Sequence, residues 1–197
     1  MLDVAPDLLG SRVMCGGVVV ELTEVEAYAG RDDPASHAWR GMTPRNAVMF
    51  GPPGRVYVYF SYGMHHCMNL VCADEGTAAA VLLRAGRVVE GAAAARSRRG
   101  PVVEAALARG PGNLTSALGI TLQCTGTTLG SGPVLWEPAV AQVPHRAGPR
   151  VGVSAGADAP WRFWVPGEAS VSAYRRSPKA PAPDGVDRPT IDRRRSR

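Results

Sequence analysis

The feature of this sequence that most restricts its fold is a pair of short apolar segments joined by one tight turn. Residues 55–62 are rich in tyrosine and valine, and residues 65–72 return with a similar apolar content after a turn at Gly63. Aromatic and β-branched residues favour strands, and a glycine between two such runs is typical of a β-hairpin. We therefore expect a hairpin here. A three-residue turn would set Tyr59 opposite Asn69 and a two-residue turn would break that pairing, so the sequence leaves the register open.

The rest of the chain mixes strands and helices, which predicts an α/β or α+β domain. Apolar runs, alanine-rich segments and glycine or proline breaks define these elements. The expected strands are 13–22 (turning at Gly16-Gly17), 21–28 and 78–85, and the expected helices are 88–98, 102–109 and 114–118, the last capped by Asn113. Residues 29–50 form a long loop, and such loops in compact domains are often functional. No G-x-G-x-x-G follows a strand and no P-loop occurs, so the chain is not a Rossmann unit.

Length and charge divide the chain into a domain and a tail. With 197 residues and 45% hydrophobic content, the chain suits one folded domain, which we place at residues 1–174. Residues 175–197 hold eight of the 22 basic residues, only three acidic ones and no apolar pattern, so a disordered basic tail is expected. The domain is neutral overall but polarised, because residues 1–39 are acidic and residues 40–174 are basic.

No segment of the sequence has the composition of a membrane span or a secretory signal. The longest apolar stretches fall far short of the roughly 20 residues that cross a bilayer, and the N-terminus is acidic and broken by Pro6. The four cysteines form no C-x-x-C pair, so reduced thiols in a cytoplasmic protein are expected. His65, His66, Cys67 and Cys72 lie close in sequence, but their spacing matches no zinc pattern, and no metal site is predicted.

Glu24, Glu26 and Tyr28 would share one face of the strand at 21–28, because successive side chains of a strand alternate. This pattern has two interpretations: a solvated edge of the sheet, or a carboxylate that acts as a general base beside an aromatic wall. Arg84 ends the apolar strand at 78–85, and an arginine in such a context usually has a carboxylate or phosphate partner. A structural ion pair fits that position as well as a functional role.

Other segments suggest contacts with nucleic acid. Tyr62 lies at the hairpin tip, where a large ring is either covered by another element or driven into a partner as a wedge. The turns at 43–46 (Thr-Pro-Arg-Asn) and 110–113 (Gly-Pro-Gly-Asn) can present amides, a hydroxyl and a guanidinium to phosphates, or serve only as turns. His37, in the long loop, is uninformative when taken alone.

A series of short motifs completes this pattern in a fixed order along the chain. They are Glu26-Ala27-Tyr28, His37, Thr43-Pro44-Arg45-Asn46, Met49-Phe50, Pro53-Gly54, Tyr57-Val58-Tyr59, Tyr62-Gly63-Met64, Cys67-Met68-Asn69, Leu82-Leu83-Arg84, Gly110-Pro111-Gly112-Asn113-Leu114 and Arg150-Val151-Gly152-Val153. Together they resemble the alkyladenine (3-methyladenine) DNA glycosylases of the mammalian type. The resemblance runs from about Leu8 to Tyr174 and does not include the tail.

This resemblance implies an α+β fold, with a single compact domain, a curved antiparallel β-sheet, flanking helices and a β-hairpin that inserts into DNA. It implies double-stranded DNA with a damaged purine as the partner, and neither a metal nor another cofactor. It also implies a monomer. The Arg, Ala and Gly content fits a bacterial source, so we expect a cytoplasmic protein associated with the nucleoid.

The resemblance further implies roles for the matching residues. Glu26 would activate a water molecule, and Arg84 and the carbonyl of Val151 would help to hold that water. An extruded base would be met by Tyr28, His37, Tyr59, Asn69 and Leu82, with Asn69 opposing the 2-amino group of guanine. The DNA would be met by Tyr62 as the wedge, Met64, Thr43, Arg45, Met49, Gly112 and Asn113. Met42 departs from the family pattern, where a cation is more usual, which would weaken a phosphate contact and leave the chemistry intact.

The reaction expected from this resemblance is hydrolysis of the N-glycosidic bond of an alkylated or deaminated purine, leaving an abasic site. The candidate bases are 3-methyladenine, 7-methylguanine, hypoxanthine and ethenoadenine, which the sequence does not rank. Lys179 is the only lysine and lies in the tail, so Schiff-base lyase chemistry is not expected. Two alternatives stay open at this point: a damaged-DNA-binding module without catalysis, and a hydrolase of nucleosides or carbohydrates with Glu24 and Glu26 as paired acids.

Overall fold

The computed structural model describes residues 1–61 and 63–182, so Tyr62 and residues 183–197 lie outside the described residues. Its centre is a sheet of eight strands in which all the pairings are antiparallel. The strands are β1 (Arg12–Cys15), β2 (Val18–Tyr28), β3 (Val56–Ser61), β4 (His65–Val71), β5 (Ala80–Glu90), β6 (Leu135–Glu137), β7 (Arg146–Gly148) and β8 (Arg162–Trp164). The main order is β3-β4-β5-β2-β1-β6, and β8 pairs with both β2 and β7.

The helices are few and short. They are α1 (Val4–Asp7), α2 (Ala92–Arg99) and α3 (Pro111–Leu118), with single 3₁₀ turns at Gly30–Asp32, Ala47–Phe50, Glu104–Ala106 and Leu122–Cys124. Helix α3 packs against β4, β5 and α2. In the part of the chain that the structure describes, no helix has the length and apolar character that a bilayer crossing requires. The curled antiparallel sheet and its flanking helices confirm the α+β class.

Strand β2 organises the sheet because both of its edges are paired. Strand β5 runs along one edge, while β1 pairs with the first half of the other edge and β8 with the second half. The predicted turn at Gly16-Gly17 joins β1 to β2. The interpretation of the Glu24–Glu26 segment as a solvated sheet edge is therefore wrong, since both carboxylates lie on an interior strand and are fully buried.

Two apolar clusters pack on opposite faces of the sheet. In β3, Val56 and Val58 belong to the larger cluster, whereas the alternating Tyr57 belongs to the smaller one. The larger cluster includes the apolar face of α3. The smaller cluster includes Met49 and Phe50 of the long loop, so that loop is packed against the sheet face that carries Tyr57.

One predicted helix is wrong at its start. Residues 88–90 continue β5, because the β-branched Val88 pairs with Val20 of β2. The helix begins only at Ala92, after Gly91 has turned the chain with φ +73°.

The helix predicted at 102–109 is wrong, and the helix predicted at 114–118 is present but starts earlier and has a different cap. Residues 102–109 contain only the turn Glu104–Ala106, because Val103, two residues after Pro101, is extended. Asn113 does not cap α3, which starts at Pro111, the residue type that favours the first helical position. The Asn113 side chain instead donates to the carbonyl of Arg109.

The structure gives the hairpin of β3 and β4 a register that the sequence left open. Ser61 pairs with His65, Tyr59 lies opposite Cys67 and Tyr57 lies opposite Asn69, so the expectation that a three-residue turn sets Tyr59 opposite Asn69 is wrong. Tyr57, Tyr59 and Asn69 nevertheless share one face, because residues two positions apart on a strand point to the same side.

The beginning of the expected tail contacts the domain. Arg176 forms an ion pair with Asp158 at 2.6 Å, and its guanidinium also donates to the carbonyl of Pro181. The compact part of the chain thus extends past residue 174. The disorder expected for residues 183–197 concerns a segment outside the described residues.

Gly30 provides a test of how the long loop is attached to the sheet. It has φ +62°, and a Cβ at this position would collide with the carbonyl oxygen of Ala78. We expect Gly30→Ala to lower the free energy of unfolding by about 3 kcal/mol or more, because the collision adds to the cost of a left-handed backbone. Gly76→Ala is the matched control, since Gly76 has φ +91° in open space and would lose only about 1–2 kcal/mol. Equal losses in denaturant unfolding would contradict the close approach.

Candidate active site

Glu26 lies in β2, and three donors hold its carboxylate. Oε1 accepts from the amide of Val151 at 2.7 Å, and Oε2 accepts from the Tyr28 hydroxyl at 2.9 Å and from Arg84 Nη1 at 3.3 Å. The side chain of Glu26 is fully buried. All three residues that supply the donors line an open cleft of about 570 Å³, so the carboxylate lies directly behind the wall of this cleft.

Irregular pairing between β2 and β5 determines where Arg84 lies relative to the two glutamates of β2. Strand β2 advances one residue between Glu24 and Val25 while β5 advances two, and the extra residue on β5 is Arg84. A second irregularity just before it leaves Thr23 as the extra residue on β2. Such bulges bend a strand and redirect a side chain. They occur here at the point where Arg84 reaches the two carboxylates of β2.

Arg84 links Glu26 to a second buried carboxylate, Glu24. Oε1 of Glu24 accepts from Arg84 Nε at 2.8 Å and from Arg162 Nε at 2.7 Å, and Ser172 donates to Glu24 from both its amide and its hydroxyl. Burial alone would raise the pKa of Glu24, but the two guanidinium groups outweigh it and hold that pKa below its usual value. Burial would lower the pKa of Arg84, but the two carboxylates raise it. Glu24 and Arg84 are therefore both charged at neutral pH.

A smaller cavity with aromatic walls adjoins the cleft. It has a volume of about 60 Å³ and is lined by Tyr28, Ala35, Ser36, His37, Met49, Tyr57, Tyr59 and Asn69. Tyr28, His37 and Tyr59 line both hollows, so the structure brings together the three rings that the sequence placed around an extruded base. The rings of His37 and Tyr59 are in edge contact with centroids 4.5 Å apart, so a planar ligand cannot lie between these two.

The titratable groups of this cavity are uncharged at neutral pH. Burial, and then the nearby Arg45, lower the pKa of His37, whose Nδ1 lies 3.2 Å from the Tyr57 hydroxyl. Burial, and then the charge of Glu26, raise the pKa of Tyr28, so its hydroxyl remains a donor. A neutral imidazole does not repel a cationic ligand, which matters for any positively charged base in this cavity.

Asn69 and Leu82, the other two predicted pocket residues, lie opposite each other on β4 and β5. Asn69 lines the smaller cavity and donates from Nδ2 to the carbonyl of Tyr57 at 3.2 Å. Leu82 lines the open cleft beside Arg84. The structure therefore brings both residues to the same site.

A buried ion pair that was not predicted supports the aromatic wall. Arg150 donates to both carboxylate oxygens of Asp33, at 2.5 and 2.8 Å, and neither side chain is exposed. Its guanidinium also lies over the rings of Tyr28 and Trp161, at 4.6 and 4.9 Å from their centroids. Because the next residue, Val151, donates to the candidate carboxylate, one short segment holds both the tyrosine wall and the acid.

Sequence reasoning missed Arg162, Arg150 and Asp33. A signal for Arg162 was present, because an arginine flanked by aromatic residues on a strand usually has a buried partner, as was inferred for Arg84. Nothing local pairs Arg150 with Asp33, since 117 residues separate them. That pair is a product of the fold.

The residues predicted to contact DNA divide into three groups. Thr43, Arg45 and Met64 are exposed, and Gly112 and Asn113 lie in the first turn of α3. Met49 is only 3% exposed and lies in the wall of the smaller cavity, and its contact with DNA stays a prediction. Tyr62 lies outside the described residues, and its role as a wedge stays a prediction.

Within residues 1–61 and 63–182, no group of three His, Cys, Asp or Glu side chains is arranged to hold a metal ion. The sequence neighbours His65, His66, Cys67 and Cys72 thus do not converge on one point. All four cysteines are free thiols.

We predict that Asp33→Asn lowers the free energy of unfolding by about 3–5 kcal/mol, because it leaves the buried guanidinium of Arg150 without its counter-charge. Asp158→Asn is a matched control, since Asp158 also takes two hydrogen bonds from one arginine but is exposed, and it should leave stability almost unchanged. The measurement is denaturant unfolding of both variants. Similar free energies of unfolding for Asp33→Asn and Asp158→Asn would show that the buried ion pair contributes no more to stability than the exposed one.

Comparison with known proteins gives a consistent result. A family model described as methylpurine-DNA glycosylase matches residues 1–169 of this chain. A protein of Cutibacterium acnes is 54% identical over 182 residues, which cover 88% of this chain and 95% of the relative. Proteins of Frankia casuarinae and Mycobacterium sp. strain KMS are each 53% identical, over 89% and 94% of this chain and 89% and 95% of their own lengths. All three relatives carry the provisional name 3-methyladenine DNA glycosylase.

Proposed function

This chain belongs to the methylpurine-DNA glycosylase family, and from that premise we propose that it removes alkylated or deaminated purines from double-stranded DNA. The reaction is hydrolysis of the N-glycosidic bond, with 3-methyladenine, 7-methylguanine, hypoxanthine and ethenoadenine as candidate bases. The observation that carries the proposal is the position of Glu26, whose carboxylate lies behind a cleft wall formed by its own hydrogen-bond donors.

Recognition begins with eversion of the damaged nucleotide, because the reacting bond is inaccessible inside a duplex. The aromatic wall of Tyr28, His37 and Tyr59 suits an everted purine. A cationic alkylpurine gains about 0.5–2 kcal/mol against such rings, and the neutral His37 adds no repulsion. The buried Asn69 would oppose the 2-amino group of guanine, which favours the rejection of a normal base.

The chemical step needs one activated water molecule. Glu26 would accept a proton from this water and stabilise the positive charge of an oxocarbenium-like transition state. Arg84 and the carbonyl of Val151 would help to hold the water. Oε2 of Glu26 accepts from the Tyr28 hydroxyl, and a water molecule at the sugar carbon would take over that hydrogen bond.

The remaining contacts concern the DNA backbone. The exposed Thr43 and Arg45 and the first turn of α3 at Gly112 and Asn113 are suited to these contacts. The exposed Met64 would lie beside Tyr62 where that ring fills the gap in the duplex. The partner would be double-stranded DNA, and the active form would be a monomer. The product is an abasic site, because the only lysine, Lys179, gives no basis for a lyase step.

Glu26→Gln tests the proposal directly. We expect lesion binding to persist and single-turnover release of 7-methylguanine from a duplex to fall by about 100-fold or more, because a positioned general base contributes at least that much. Glu21→Gln is the matched control, since Glu21 lies on the same strand but pairs with Arg12 and Arg87 and lines no part of the cleft. Its rate should equal that of the unmodified protein.

Three outcomes would contradict the proposal. Equal rates for Glu26→Gln and the unmodified protein would remove Glu26 from the chemistry. Tight lesion binding without base release by the unmodified protein would favour a damage-binding module. Equal activity on free nucleosides and on duplexes would favour a nucleoside hydrolase.

Tyr62→Ala tests the wedge. We expect base release from a duplex to slow by about tenfold or more, because stacking of an aromatic ring in the vacated space is worth about 1–3 kcal/mol. The same lesion in a single strand is the control, since no gap exists there to be filled. A wedge is contradicted if the variant releases base from the duplex at an unchanged rate, or slows on both substrates equally.

A further inference from the structure

Four charged side chains form one buried cluster at the back of the cleft. They are Glu24, Glu26, Arg84 and Arg162, and none of these side chains is more than 8% exposed. The cluster holds two negative and two positive charges. Charges removed from water in this way interact strongly, because the interior screens them far less than solvent does.

The hydrogen bonds of the cluster divide Arg84 between two carboxylates. Its Nε lies 2.8 Å from Glu24, whereas its Nη1 lies 3.3 Å from Glu26. Glu24 also accepts from Arg162 at 2.7 Å, so each guanidinium of the cluster is bonded to it. Glu24 lines no part of the cleft, and Arg84 is hydrogen-bonded to both Glu24 and Glu26.

This division matters for a carboxylate that must accept a proton. If Arg84 paired with Glu26 alone, its positive charge would stabilise the ionised form and weaken Glu26 as a base. Glu24 pairs with Arg84 as well, so its negative charge offsets part of the positive charge that Arg84 presents to Glu26. Arg162 in turn offsets part of the negative charge of Glu24. The two arginines hold the pKa of Glu24 below its usual value, so Glu24 carries this negative charge at neutral pH.

We propose that Glu24 and Arg162 are positioning residues that set, through Arg84, how readily Glu26 takes up a proton. This inference rests on the proposed function of Glu26 as the base, and it adds that the charges around Glu26 set its affinity for a proton. The two residues act with opposite sign. Loss of Glu24 makes proton uptake by Glu26 harder, and loss of Arg162 makes it easier.

Other groups also face Glu26 and must be held constant in a test. They are Tyr28 on β2, Tyr59 on β3, Cys67 on β4, Arg150 and the amide of Val151, while Ser172 faces Glu24. Glu24→Gln and Arg162→Gln leave all of these in place. Any difference in pH dependence between the two variants therefore comes from the cluster.

The experiment measures single-turnover base release against pH. The substrate is a duplex with one 7-methylguanine, which keeps its positive charge across the acidic range. The acid limb of the profile marks protonation of Glu26. We expect this limb to move by about half a pH unit or more, to lower pH in Glu24→Gln and to higher pH in Arg162→Gln. The double variant is neutral again, and its limb should return towards that of the unmodified protein.

Ser172→Ala separates charge from packing. It removes the hydroxyl that donates to Glu24 and accepts from Arg84 but leaves every charge in place, so its acid limb should move far less than that of either charge variant, whatever its rate. If Glu24→Gln does not fold, Arg162→Gln alone tests the inference. An acid limb that moves to higher pH supports it, and an acid limb that stays in place overturns it. Thermal unfolding and lesion binding of each variant identify losses that come from instability.

The inference is overturned if the two single variants leave the acid limb in place or move it in the same direction. A different result would contradict the proposed function itself. That result is an unmodified protein that releases no base, or a Glu26→Gln variant that is as active as the unmodified protein. Activity that depends on Glu26, together with fixed acid limbs, would refute only the role of Glu24 and Arg162.

Discussion

The interaction on which the rest of the site depends is the sharing of Arg84 between two buried carboxylates. Each charge that is removed from water costs several kcal/mol unless it is paired and hydrogen-bonded. Glu24 and Glu26 therefore require partners from outside their own strand. Strand β5 supplies Arg84 through a bulge, β8 supplies Arg162, and the segment that ends at Val151 supplies an amide. The curled sheet is the arrangement that brings these three segments to one strand.

A second buried pair connects this charged cluster to the cavity. Asp33 stands near the beginning of the long loop and Arg150 immediately before Val151, so their ion pair ties the loop that carries His37 to the segment that holds Glu26. The guanidinium of Arg150 also contacts the ring of Tyr28. Tyr28 in turn donates to Glu26. The aromatic wall and the acid are thus positioned by one continuous set of contacts, which is what a reaction at the sugar carbon of an everted purine requires.

The sequence predicted the parts of this structure that depend on local patterns. The hairpin of β3 and β4, the turn before β2 and the shared face of Glu24, Glu26 and Tyr28 follow from alternation and glycine positions. The helix predicted at 88–98 starts only at Ala92, because pairing of Val88 with β2 outweighs the alanine content after it. The partners of Glu24 and the pair of Asp33 with Arg150 lie more than a hundred residues apart in several cases, and no local pattern specifies them. Met49 is buried in the wall of the smaller cavity, a position that depends on how the long loop packs against the sheet and that its motif does not specify.

The central claim is that the carboxylate of Glu26 delivers water to the sugar carbon of an everted purine. The measurement that tests it most directly is a crystal structure of the protein bound to a duplex with a non-hydrolysable analogue of a damaged nucleotide. The account predicts that the base is everted against Tyr28, and that a water molecule lies within hydrogen-bond reach of Glu26 on the face of C1′ opposite the base. An everted base whose C1′ faces away from Glu26, or a base that remains stacked in the duplex, would contradict it.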